Sequence, residues 1–203
     1  AASSGGAVSA EYKGSSYALV DLVSGELTEF RGPHGLSAYA LSPDGTLALV
    51  GSWEEGFGLL SIPDGAFVPF GRGDGPPSGG AFSPDGRVVV CVTAGDFGRT
   101  AVFRDVATGG TLGRVDGVFI APPFAGFVEG ADGEALAALV LDGYEYALKP
   151  VAALDSAGIR FGEPPYPLRR FWRIEVASAA GGVMALGSDL GGVAFMSRDG
   201  AAM

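Results

Sequence analysis

The chain has 203 residues, of which 47% are apolar and 18% charged, so it carries enough apolar surface for a packed core. Its net charge of −10 excludes a general affinity for phosphate backbones or anionic membranes, and no apolar run approaches the ~20 residues of a membrane span. Cys91 is the only cysteine and His34 the only histidine, which excludes an internal disulfide and any zinc site built on a histidine pair within the chain.

Gly (35) and Pro (13) make up roughly a quarter of the chain, and they sit between apolar runs, where tight turns need them. Many short strands are therefore predicted. The first clear unit is Ala40-Leu41-Ser42-Pro43-Asp44-Gly45, followed by Thr46-Leu47-Ala48-Leu49-Val50. It returns as Ala81-Phe82-Ser83-Pro84-Asp85-Gly86, followed by Arg87-Val88-Val89-Val90-Cys91-Val92, with Gly45 and Gly86 separated by 41 residues. Degenerate copies turn near Gly5, Gly133 and Gly181, giving spacings of 40, 41, 47 and 48.

A second turn recurs in phase. Asp21…Gly25, Ile62…Gly65 and Asp105…Gly109 each join two apolar stretches, and Asp155…Gly158 and Arg198…Gly200 fit less closely. Each unit then holds four short runs, a to d. In the third unit these are Gly80–Ser83, Arg87–Thr93, Thr100–Asp105 and Thr111–Val115. The continuous apolar run Val88–Val92 predicts a strand buried on both faces, since a strand with one wet face alternates instead. The best helix candidate is Lys149–Ala157, and Pro150 with a weak 3.6-residue period argues against it.

Four antiparallel strands per 40–48 residues, with inner strands apolar and outer ones polar, is the arithmetic of a β-propeller blade. The expectation is a single all-β, propeller-like domain over residues 1–203, with about four to five four-stranded units. The first unit lacks run a and the last lacks run d, which gives eighteen strands. A small ring, a segment of a larger ring and a ring completed by another chain all stay open.

At Ala81–Val90 and Val102–Leu112 the chain resembles the WD-repeat and related bacterial β-propeller families. Arg104-Asp105 stands where the family usually has Trp-Asp, and Asp21 and Asp105 match the aspartate of that dipeptide. Pro33-His34-Gly35 looks like a displaced Gly-His element, whose histidine in the family joins a hydrogen-bond network within the blade. No Trp-Asp dipeptide occurs, and the likeness is good over residues 15–115 and weak beyond. The resemblance implies a fold and, by analogy, a non-enzymatic scaffold that binds another protein.

In such propellers the b–c and d–a loops share one face. The b–c loops are read as Gly51–Gly58, Ala94–Thr100, Leu141–Tyr146 and Gly187–Gly192; the d–a loops are Arg31–Gly35, Gly71–Gly80, Val115–Gly117 and Gly162–Arg170. Trp53, Glu54, Glu55, Arg72, Asp74, Asp96, Arg99, Tyr144, Arg169 and Arg170 are the candidate binding residues on that face. Against this stands the plain fact that loops flanking turns are polar in any such fold. Arg169-Arg170-Phe171-Trp172-Arg173 is the only basic cluster, but Phe171, Trp172 and Ile174 also suit the start of a strand. Glu54-Glu55 with Asp96 is the best carboxylate group, though neighbouring residues in such a loop point apart.

Arg72-Gly73-Asp74 and Asp96-Phe97-Gly98 imitate known tripeptides and carry no weight without their contexts. Cys91 reads as a buried, inert thiol and His34 as a turn or blade-network residue rather than a general base. No catalytic residue, cofactor or metal is predicted. The partner expected is another protein, including one that would complete the ring, with neither nucleic acid nor membrane insertion. The alternative is a ligand- or carbohydrate-binding or lactonase-type propeller with a pocket on the loop face. The compartment is left open between the cytoplasm and export after removal of a leader.

Overall fold

The computed structural model describes residues 6–10, 16–21, 24–31, 33, 35–62, 64–71, 75–95, 98–118, 125–129, 135–141, 145–153, 159–161, 176–179, 183–187 and 193–197. Among the described residues the protein is all-β, with no α-helix and one 3-10 turn, Val151–Ala153. The helix considered at Lys149–Ala157 does not start as one: its first two residues close a strand, Glu145–Pro150, before the 3-10 turn.

Every described sheet is an antiparallel meander of sequence neighbours. The first holds β1 (Gly6–Ala10), β2 (Ser16–Asp21) and β3 (Leu27–Arg31). The second holds β4 (Ser37–Leu41), β5 (Leu47–Ser52), β6 (Gly56–Ser61) and β7 (Phe67–Pro69). The third holds β8 (Pro77–Phe82), β9 (Val88–Gly95), β10 (Gly98–Asp105) and β11 (Thr111–Val118). The fourth holds β12 (Ala125–Glu129), β13 (Ala135–Leu141), β14 (Glu145–Pro150) and β15 (Ile159–Phe161). The fifth holds β16 (Val176–Ala179), β17 (Val183–Gly187) and β18 (Val193–Ser197). The chain divides into two compact units, Ala1–Pro77 and Ser78–Met203.

The Ser-Pro-Asp-Gly turns that join β4 to β5 and β8 to β9 share the same backbone and serine hydrogen bonds. Gly45 N–H donates to the Ser42 carbonyl and Gly86 N–H to that of Ser83, each at 2.9 Å. Ser42 Oγ accepts from Leu47 N–H at 2.9 Å and donates to Asp44 Oδ1 at 2.6 Å. Ser83 Oγ does the same with Val88 N–H and Asp85 Oδ1, at 2.9 and 2.6 Å. The chain leaves each turn through a left-handed residue, φ 72° at Gly45 and 71° at Gly86, which any Cβ would strain.

In the first unit the core joins two sheets. Tyr17 from β2 and Leu36 pack with Ala48 and Val50 from β5 and Leu60 from β6. The pairing of β4 with β5 shifts register between Ala38 and Ala40, and this bulge lets Ala38 and Leu41, three residues apart, reach the same cluster. In the second unit Val90 and Val92 from β9, Ala101 and Phe103 from β10 and Phe127 from β12 form the equivalent core. The Phe103 and Phe127 rings meet edge to face, 5.9 Å apart at 87°. Val89 and Cys91, on the other face of β9, are also buried, so the strand is covered on both sides as its unbroken apolar run requires.

One expected loop is strand. Val115–Gly117 lies inside β11 rather than between elements. Its alternation explains this: Val115 turns to the Phe103 core, while Asp116 points outward to accept from Thr100 Oγ1 at 2.9 Å and Arg114 Nε at 2.8 Å. The loop read as Ala94–Thr100 is likewise shorter, since β9 runs to Gly95 and β10 restarts at Gly98.

Candidate functional site

Each four-stranded meander has two ends. One carries the a–b and c–d turns, which in the second and third sheets are bonded together: Ile62 N–H donates to the Thr46 carbonyl, and Val106 N–H to that of Arg87, both at 2.9 Å. The other end carries the b–c turn and the exit from the last strand. In the second sheet that end is Trp53-Glu54-Glu55, a three-residue tip beyond the last strand pair, Ser52 with Gly56. All three residues are exposed, Trp53 by 79%.

The tip stands on a rigid base. Ser52 Oγ accepts from Glu55 N–H at 3.0 Å and fixes the turn from within. Gly51 and Phe57 beneath it are buried. Phe57 meets the Tyr39 ring edge to face, 5.3 Å apart at 62°. The Tyr39 hydroxyl donates to the Pro77 carbonyl at 3.2 Å, and burial raises its pKa, so it stays a neutral donor. A second tyrosine fixes the connection that leaves β3: the Tyr17 hydroxyl donates to the Pro33 carbonyl at 2.7 Å. Burial pushes the Tyr17 pKa up, opposed by a hydrogen bond from the backbone of Leu36.

Of the candidate binding residues, the structure brings Trp53, Glu54 and Glu55 together on one turn. Arg99 lies in the second unit, partly buried near the start of β10 opposite Ala94, and burial lowers its pKa. Arg72, Asp74, Asp96, Tyr144, Arg169 and Arg170 lie outside the described residues, as do His34 and Phe171-Trp172. Cys91 is a buried free thiol, and burial pushes its pKa up to about 12 against a smaller opposing pull from Arg104. Asp21 and Asp105, the aspartates matched to the family dipeptide, cap turns. Asp21 Oδ1 accepts from Ser24 N–H at 2.9 Å, and Asp105 Oδ1 from Thr108 N–H and Oγ1 at 2.8 Å.

Sequence reasoning missed the anchors Ser52, Tyr39 and Tyr17. A signal for Ser52 was present. Asp21…Gly25, Ser52…Gly56, Ser61…Gly65 and Asp105…Gly109 all place an oxygen-bearing side chain four residues before a glycine. In three of the four, that side chain accepts the N–H three residues on. The Trp53 tip therefore uses the same five-residue turn as the opposite end of the sheets. For the tyrosines no comparable pattern exists, because their acceptors lie 16 and 38 residues away.

Among the described residues, no three or more His, Cys, Asp or Glu side chains gather as a metal site would need. Among the same residues, no helix is long and apolar enough to cross a membrane. No family model matches the chain, and no curated protein matches it.

Proposed function

We propose that the chain is a β-propeller-type scaffold, similar to bacterial WD-repeat-like proteins, that binds another protein through the loop end carrying Trp53. Three observations support the propeller reading. The serine hydrogen bonds of the Ser42 turn repeat in the Ser83 turn. The middle strands β5 and β9 are buried on both faces. The third concerns which face meets which neighbour. In the second sheet Ala48 and Val50 face the preceding sheet; in the third, Val90 and Val92 face the following one. Offset by 41 residues, these pairs fall on opposite faces of equivalent strands, as a stack of blades taken in order requires.

The single observation that carries the binding role is Trp53, an indole 79% exposed on a tip fixed by its own hydrogen bond. Tryptophan is over-represented among residues that dominate binding energy, and a preordered tip loses little entropy when a partner closes on it. The test is photo-crosslinking from an unnatural benzophenone residue at position 53, compared with position 66, where exposed Ala66 lies at the other end of the same sheet. Crosslinks confined to position 53 support the reading. Equal capture from both ends refutes it.

A second reading is favoured by the two three-stranded sheets. Among the described residues β1 and β18 each lack a neighbour on one edge, at positions filled in the other sheets by strands such as β4 and β7. Strands supplied by another chain would satisfy those edges by β-augmentation.

A further inference from the structure

We infer that the Trp53 tip receives a basic segment of a partner protein, with an arginine guanidinium laid on the indole and paired to Glu54 or Glu55. This rests on the loop-end reading above and names the chemistry of its partner. Two independent features point to it. The tip carries one exposed aromatic residue and two exposed carboxylates within a single three-residue turn, with its backbone held by Ser52. The surrounding unit, residues 1–77, holds nine Asp and Glu against three Lys and Arg, so its field attracts a cation from a distance. Arginine suits the tip better than lysine. Its planar guanidinium stacks on an aromatic ring and still presents donors to a carboxylate, whereas an ammonium is a strongly hydrated point charge.

An uncharged apolar segment would find the indole but leave the carboxylates unused. An acidic one would meet like charge on every side. The acidic field alone would attract any polycation, so the test must separate field from tip. Labelled nona-arginine and nona-lysine, identical in charge, are titrated by fluorescence anisotropy in about 0.15 M salt, where distant charges are screened.

The intact protein is expected to bind nona-arginine more tightly than nona-lysine. Trp53→Ala should weaken nona-arginine binding roughly three- to fivefold and leave nona-lysine unchanged. The pair Glu54→Gln and Glu55→Gln should weaken both peptides about two- to fivefold. Unchanged thermal midpoints keep misfolding out of the comparison. Equal affinity for the two peptides, or indifference of nona-arginine to Trp53, overturns the inference. If crosslinking from position 53 persists in that case, the loop-end reading stands and only the arginine partner falls; if crosslinking from position 53 is absent too, both fall.

Discussion

Ser83 shows how one residue can hold a turn. Its side chain is fully buried, and its Oγ is the acceptor for Val88 N–H while donating to Asp85. Ser83→Ala leaves that part-buried N–H without its partner, which costs about 1–3 kcal/mol. Urea unfolding should show a loss of that order. Ser42→Ala in the twin turn should behave alike. The aspartates of these turns set the response to acid. Asp44 has its pKa lowered by the Ser42 hydroxyl and by the Thr46 amide and hydroxyl. At Asp85 burial pushes upward, but the Ser83 hydroxyl, the Arg87 amide and the Arg87 charge outweigh it, and the net shift is down. A carboxylate that binds its proton less readily folded than unfolded adds stability above its unfolded pKa. That stability is lost as pH falls through the folded value, so the loss should begin below about pH 4. Urea midpoints measured from pH 7 to pH 3 should fall across that window, and Asp85→Asn should flatten part of the slope.

Gly58 is a second residue whose identity is fixed by its surroundings. A Cβ there would stand 2.6 Å from the Val68 carbonyl oxygen and against the Phe67 ring. The backbone oxygen cannot swing aside, so β7 would have to move away from β6. Gly58→Ala should cost about 1–3 kcal/mol, the usual penalty for overpacking, whereas Gly110→Ala, which meets only a Thr108 hydroxyl at 3.2 Å, should cost far less. Thermal melts of the two variants side by side would decide it.

At the scale of elements, the sheets were legible wherever a local rule controls the chain. The unbroken run Val88–Val92 predicted a strand covered on both faces, and Val89 through Val92 are buried. Ser-Pro-Asp-Gly predicted hairpins because proline, aspartate and glycine each supply one part of the turn, and the hydrogen bonds are those parts. What the residues did not disclose depends on distance. The bulge at Ala38–Ala40 and the two tyrosine bonds link segments whose contact no local pattern encodes. The Trp53 loop was placed correctly as a loop, but its length was overread, since β5 and β6 run to Ser52 and from Gly56.

The outer strands also carry protection that matters to a meander. β7 is three residues long and ends at Pro69, and β11 presents an Arg114–Asp116 pair at 2.8 Å. Short length, proline and charge all discourage pairing with a stray strand. That leaves the interior strands as the place where a single change should be most damaging. Val90→Asp buries an unpaired charge between Phe103 and its neighbours and should cost more than about 3 kcal/mol, unfolding the third sheet. Trp53→Ala, by contrast, should move stability by no more than about 0.5 kcal/mol. Circular dichroism and urea midpoints on both variants test the division between core strand and exposed tip; a soluble, unshifted Val90→Asp would sink it.

At the scale of the whole molecule, among the described residues β1 and β18 each pair with a strand on one edge only. In the repeat read from the sequence, β1 corresponds to β5 and β9, and β18 to β6 and β10. Those counterparts have neighbours on both edges, and both are rich in buried apolar side chains. An interior-type strand left at an edge exposes backbone N–H and C=O groups along its length, and a second chain can pair with them in register. The protective devices of β7 and β11 are not repeated in the sequence of β18, Val193-Ala194-Phe195-Met196-Ser197, which has neither charge nor proline. Light scattering on a size-exclusion column reads the consequence directly. Pairing of these edges predicts a mass at a multiple of 20.4 kDa that falls toward the single-chain value when Ala194 and Met196 are both replaced by lysine. A single-chain mass at all concentrations, with one cooperative melt, would mean that β1 and β18 are satisfied within the chain. The Trp53 end would then remain as the proposed contact with a partner.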